Sequence, residues 1–147
     1  MTTRVIDSEM DRDLLLRFIR EHSLPFTIDV VKGKRRSVEQ NRLQRMWLNE
    51  VAEQLGDRTA EDVRGYCKLT LGVPLLRAEN EAFRAKYDAY VRPLPYDQKL
   101  AFMMEPLDFP VTRLMTTDQK TRYLDAMYRH FAEQGLQLTE PEQARAA

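Results

Sequence analysis

The sequence holds one cysteine, Cys67, which excludes an internal disulfide and a zinc site built from cysteines. It also lacks an excess of either charge: 23 Lys plus Arg stand against 23 Asp plus Glu. No overall field therefore draws the chain toward a polyanion, and any contact with nucleic acid needs locally clustered charge. Apolar runs are short, as at Leu14-Leu15-Leu16, against the roughly 20 residues needed to cross a bilayer. No charged, apolar and cleavable leader pattern opens the chain, so a soluble protein of the reducing cytoplasm is expected, without a membrane role.

Catalytic motifs are also scarce. His22 and His130 lie far apart, with no H-E-x-x-H pattern and no cysteine partner, so no metal is expected. No Gly-rich phosphate loop and no G-x-S-x-G elbow occurs, and Cys67 sits among Val63, Tyr66 and Leu71 where burial is the ordinary outcome. Acidic pairs such as Glu61 and Asp62 are explained by helix starts. The chain reads as a non-enzyme without a cofactor.

What is present suits one core: 147 residues, 43% hydrophobic, read as a single domain over 1–138 followed by a polar, frayed tail over 139–147. Asp7 or Ser8 caps a first helix carrying Met10, Leu14, Leu15, Phe18 and Ile19, which ends at Leu24-Pro25. The alternation of Phe26 to Val31 predicts a half-buried strand, with Arg4-Val5-Ile6 as its partner. Ser37 starts a second helix with Leu43, Trp47, Leu48, Val51 and Leu55 on one side, stopped at Gly56. Thr59 opens a third helix running to Gly72, with Pro74 just beyond; further helices span Ala78 to Val91 and Tyr96 to Met104. Thr116 or Thr117 caps a last helix carrying Tyr123, Leu124, Met127 and Phe131 toward Gly135. The fold class is thus α+β and mainly helical, a small N-terminal β-sheet packed against a bundle of four to six helices.

Charge is concentrated at one junction. Between residues 32 and 45, Lys32, Lys34, Arg35, Arg36, Arg42 and Arg45 stand against Glu39 alone. A helix starting at Ser37 would add free backbone N–H groups that can hold a phosphate. Arg42 and Arg45, three apart, project with Asn49 away from Leu43 and Trp47, so a basic stripe can remain in water. The alternative is an ordinary solvated face, neutralised by Glu50 and Glu53. Ser37 and Gln40 also fit the S-x-x-Q capping box, in which Gln40 reaches back to Ser37 rather than to a ligand. Trp47 could stack on a base, although its spacing from Leu43 and Val51 favours burial.

The string Arg36-Ser37-Val38-Glu39-Gln40-Asn41-Arg42, followed by an amphipathic helix with Trp47, resembles the R-S-x-[DE]-Q-N-R signature of the NinB/Orf family of phage recombination proteins. The likeness covers residues 26–71 and 112–138; Phe26 to Val31 look similar to part of the strand–helix–strand unit that precedes the family's signature. From Val73 to Pro110 the chain departs from better-known members, which carry a β-hairpin there. The resemblance implies a homodimeric, non-catalytic accessory factor that binds single-stranded DNA and helps a recombinase load in the presence of single-strand-binding protein. By motif position it implies contacts from Arg36, Gln40, Asn41 and Arg42; charge and geometry add Lys32, Lys34, Arg35 and Arg45.

Two other readings compete. A protein-interaction adaptor of phage or prophage origin, without DNA binding, would use the helical half and the frayed tail, and is suited by the neutral net charge and the aromatic-rich segment from Phe83 to Tyr96. A metal-dependent nuclease would need an acidic cluster that the sequence does not display.

Overall fold

The computed structural model describes residues 4–30 and 35–141, with the backbone alone over 35–38. Among these residues the regular structure is seven α-helices, one π turn and one 3-10 turn, with no β-strand. The chain divides into two compact units, Met1–Glu39 and Gln40–Ala147, with the boundary inside the second helix.

In the first unit, helix α1 (Glu9–Glu21) is capped by Ser8, whose hydroxyl accepts the Asp11 N–H at 3.1 Å. Glu9 and Asp11 in the first turn and Arg20 in the last oppose the helix dipole. No residue of α1 is buried. Among the described residues the expected β-sheet is absent: residues 4–6 and 26–30 form no ladder, Ile28 and Val30 stay exposed, and Val31, the last residue of the expected strand, lies outside the described residues. Alternation of β-branched residues favours extended backbone only locally, and a strand needs a partner to satisfy its N–H and C=O groups. Instead Phe26 meets the His22 ring edge-on at 5.1 Å, His22 stacks on Phe18 at 5.0 Å, and the Arg4 guanidinium lies 4.6 Å above the Phe18 ring.

The second unit carries two apolar clusters. One gathers Trp47, Leu48 and Val51 of α2 (Arg35–Leu55), Val63 and Cys67 of α3 (Ala60–Cys67), and Tyr123, Leu124, Met127 and Phe131 of α7 (Thr117–Glu133). The spacing of those positions gives each helix one apolar stripe. Truncating a residue such as Phe131, 2% exposed, to Ala would cost about 3–5 kcal/mol. The other cluster joins Leu69, Val73 and Leu76, Phe83 and Tyr87, Val91, Met103 and Val111, from the π turn through α4 (Val73–Glu79), α5 (Glu81–Tyr90) and α6 (Tyr96–Met103). Met115, after the 3-10 turn Thr112–Leu114, packs against both.

Helix limits follow local chemistry. Thr59 with Asp62, and Thr116 with Gln119, form reciprocal capping boxes that open α3 and α7. Gly56 (φ 79°) and Gly135 (φ 85°) turn the chain left-handed after α2 and α7. Pro74 does not end a helix, contrary to expectation. The run continues through a π turn, Lys68–Gly72, whose wider ring bonds the Val73 N–H to the Lys68 carbonyl. Pro74 then falls in the first turn of α4, where a missing N–H is tolerated. The break comes later, at Asn80, whose side chain accepts the Phe83 N–H at 3.0 Å and starts α5, so Ala78 to Val91 is not one helix. Gly72 is needed for contact: a Cβ there would lie 2.7 Å from Val111 Cγ1.

Candidate nucleic-acid interface

The residues singled out on the basic segment divide into three groups. Lys32 and Lys34 lie outside the described residues, and Arg35 and Arg36 are placed by backbone only. Asn41, Arg42 and Arg45 lie on the first half of α2 and are exposed, as is Asn49 one turn on. Gln44, Trp47, Leu48 and Val51 are buried on the opposite side. Among the described residues neither Arg42 nor Arg45 takes part in an ion pair, and Glu50 is engaged elsewhere, accepting the Thr139 N–H at 3.0 Å. The helix thus sorts its cations to water and its apolar groups to the core by the 3.6-residue period.

Gln40 has a different place from the one its motif suggests. Helix α2 begins at Arg35, so Ser37 lies inside the helix and is not its cap. The Gln40 amide instead donates to Thr121 Oγ1 at 2.7 Å and leans toward the Thr117 carbonyl at 3.4 Å, both on α7. Thr121 in turn donates to that same carbonyl at 3.0 Å. The side chain therefore ties α2 to α7.

One turn further on is a feature the sequence reading missed. Lys120 of α7 is buried at 8% exposure, and its ammonium donates to the Gln44 side-chain oxygen, itself at 8% exposure. No carboxylate neutralises it among the described residues, and burial pushes its pKa down to about 8. The signal was present: Lys120 and Gln44 occupy the apolar stripes of their helices, three residues before Tyr123 and Trp47. Gln40, Gln44 and Lys120 form a polar seam beneath the exposed arginines.

Trp47 is withdrawn from any ligand, 2% exposed, with its indole Nε1 donating to the Thr139 carbonyl at 2.8 Å. The same carboxylate that takes the Thr139 N–H also accepts the Thr139 hydroxyl. Gln54 exchanges two bonds with the Gln137 backbone, at 2.7 and 2.9 Å. Residues 137–139 are thereby strapped along α2.

Other reactive groups are structurally occupied. Burial pushes the Cys67 thiol up to about 12, which keeps it protonated at neutral pH. His130 Nε2 lies 3.0 Å from both the Tyr66 hydroxyl and the Gln134 amide. A cleft of about 170 Å³ beside them, lined by Leu55, Arg58, Val63, Tyr66, Phe131 and Gln134, is below the roughly 300 Å³ at which small-molecule pockets begin. No group of three or more potential metal-ligating side chains occurs among the described residues, nor any helix long and apolar enough to cross a membrane. In comparisons with known proteins, no family model, no curated protein and no solved structure matches the chain.

Proposed function

We propose that this chain is a non-catalytic accessory protein of phage-type homologous recombination, which binds single-stranded DNA along the basic first half of α2 and assists recombinase loading. The observation that carries the reading is the pair Arg42 and Arg45, exposed on one helix face and without an ion pair among the described residues. Such guanidinium groups can neutralise phosphates and release counterions, giving affinity with little sequence preference. Asn41 adds a polar contact from the same turn. Gln40 and Lys120 act behind them, fixing α2 on α7 so that the cationic face is presented on a rigid support. Lys32, Lys34, Arg35 and Arg36 extend the charge toward the N-terminal side in sequence. The signature Arg36 to Arg42 supplies the recombination context, with a homodimer, single-strand-binding protein and a recombinase as partners.

The test is a fluorescence-anisotropy titration with labelled single- and double-stranded oligonucleotides at two salt concentrations. The reading expects single-strand binding that weakens steeply with salt and falls about ten-fold or more on combining Arg42→Ala with Arg45→Ala. Equal binding by that variant would remove the proposed site.

A second reading, a protein-interaction adaptor, is favoured by α1. Met10, Leu14, Leu16 and Phe18 are all exposed on a helix with no buried residue. Co-purification of one host protein without nucleic acid, lost on Leu14→Asp, would decide for it.

A further inference from the structure

The corner between α5 and α6 presents a second surface, on residues that the basic segment does not include. Tyr90 is the last residue of α5 and Tyr96 the first of α6, separated by a turn over 91–95. The turn is fixed at both ends, by the Leu94 N–H on the Val91 carbonyl at 3.0 Å and the Lys99 N–H on the Pro95 carbonyl at 3.0 Å. On α5, Phe83 and Tyr87 face the core at 7% and 3% exposure. Tyr90, one turn on, leaves it at 70%, and Tyr96 stands at 55%. Two large aromatic rings are thus held in water on rigid helix ends.

Cations accompany them. The Lys86 ammonium lies 5.7 Å from the centre of the Tyr90 ring, and Arg92 is 60% exposed within the turn. Between residues 84 and 99, Arg84, Lys86, Arg92 and Lys99 stand against Asp88 and Asp97. Asp88 is already committed to Arg77, through bonds of 2.7 and 3.1 Å, and meets Arg92 at 3.7 Å. Lys86 and Lys99 take part in no ion pair among the described residues. Exposed rings with excess positive charge match an unpaired nucleotide, which offers a π-face to stack and a phosphate to neutralise. A duplex hides its base faces, so the complementarity is to single strands.

We propose that Tyr90 and Tyr96, with Lys86, Arg92 and Lys99, form a stacking surface for the bases of single-stranded nucleic acid. The inference rests on the strand-binding reading but concerns a separate surface, and it can fail alone. It is tested with the full chain and a fluorescent oligo-dT. Tyr90→Ala and Tyr96→Ala should each weaken binding about five-fold or more, while Tyr→Phe at either position restores it. The slope of affinity against salt should stay unchanged, because stacking releases no counterions. Oligonucleotides carrying 5-iododeoxyuridine should crosslink within residues 86–99. Tyrosine-to-alanine variants that bind like the parent, while Arg42→Ala with Arg45→Ala weakens binding, would overturn this surface and leave the α2 reading standing. A parent protein that binds no oligonucleotide but holds poly-glutamate in a Tyr90- and Tyr96-dependent way would overturn both and make the corner a docking surface for acidic protein.

Discussion

Lys68 Nζ lies 2.7 Å from Asp108 Oδ1, joining a side chain that is 2% exposed to a carboxylate that keeps 41% of its surface in water. The same ammonium donates to the Met103 carbonyl at 2.8 Å, and Arg64 donates to the same Asp108 oxygen at 2.9 Å. Lys68 opens the π turn, while Asp108 sits in a left-handed turn (φ 45°) after α6, so the pair pins that loop to the helical run. Hydrogen bonding from Lys68 first, then from Arg64, holds the Asp108 carboxyl below its ordinary range. Folding therefore favours the ionised form. Its contribution is present above the ordinary carboxylate range and is lost as pH falls through the lowered folded value. Asp108→Ala should cost about 2 kcal/mol, less than the loss of a fully buried pair because water screens one partner. Urea melts of Asp108→Ala, Lys68→Met and the double variant form the check. The double variant should be more stable than Asp108→Ala alone, since it no longer buries an ammonium without its counter-charge.

The two exposed arginines of α2 make a quantitative prediction. If each holds one phosphate, Arg42→Ala with Arg45→Ala should reduce the slope of log affinity against log salt by about 1.4 for a single strand. Anisotropy titrations across a salt series read this directly. An unchanged slope with weaker binding would mean that the arginines act through the fold rather than on the strand.

Gln40 should behave in the opposite way. Its amide is engaged by Thr121 and Thr117, so Gln40→Ala should lower stability by about 1 kcal/mol. Strand affinity should hold within two-fold at a temperature where the variant is folded. Thermal melts and binding on the same preparation separate the two effects.

Lys120 predicts an alkaline effect. Its folded pKa, about 8, lies below the ordinary 10.5, so the unfolded chain holds more protons between those values. Stability therefore rises with pH across that window, by about 3 kcal/mol at most from this group. Cys67 works the other way above pH 9, because its thiol stays protonated only in the folded chain. Comparing the parent with Lys120→Met isolates the lysine. The parent should gain stability relative to the variant from pH 8 to 10, by urea melts at each pH, with Gln44 losing its partner in the variant at every pH.

The Tyr123 hydroxyl is buried and has no hydrogen-bond partner among the described residues. An unsatisfied hydroxyl in a core costs free energy, so Tyr123→Phe should leave stability unchanged or raise it by about 1 kcal/mol. A calorimetric loss larger than that would show that the hydroxyl is satisfied in solution.

Much of the second unit was legible because its signals are local and agree with one another. Thr59 and Thr116 start helices through their own side chains, Gly56 and Gly135 end them, and the spacing of Trp47, Leu48 and Val51 marks a buried face. Arg42 and Arg45 were legible for the same reason, since a helical wheel places them opposite Trp47. The extended, unpaired backbone over residues 26–30 was not, because alternation says nothing about whether a partner exists, and Arg4 to Ile6 does not provide one. Pro74 misled because its ordinary effect presumes an α-helical ring, whereas the preceding turn is wider. Lys68 and Lys120 were hidden by chemistry: a lysine on an apolar stripe usually lifts its ammonium into water, and only tertiary partners such as Asp108 and Gln44 hold it inside.

The π turn has an effect beyond accommodating Pro74. An α-helix advances about 100° per residue, so one residue of slack sets everything downstream back by about that angle relative to an uninterrupted helix. Val63 and Cys67 can thus look into one cluster while Val73 and Leu76, on the same rod, look into the other. Tightening the wide turn to an α-helical one with every residue kept would rotate α4 by about that angle and aim Val73 and Leu76 away from Phe83 and Tyr87. Deleting one residue between Lys68 and Gly72 would instead close the turn and keep their direction.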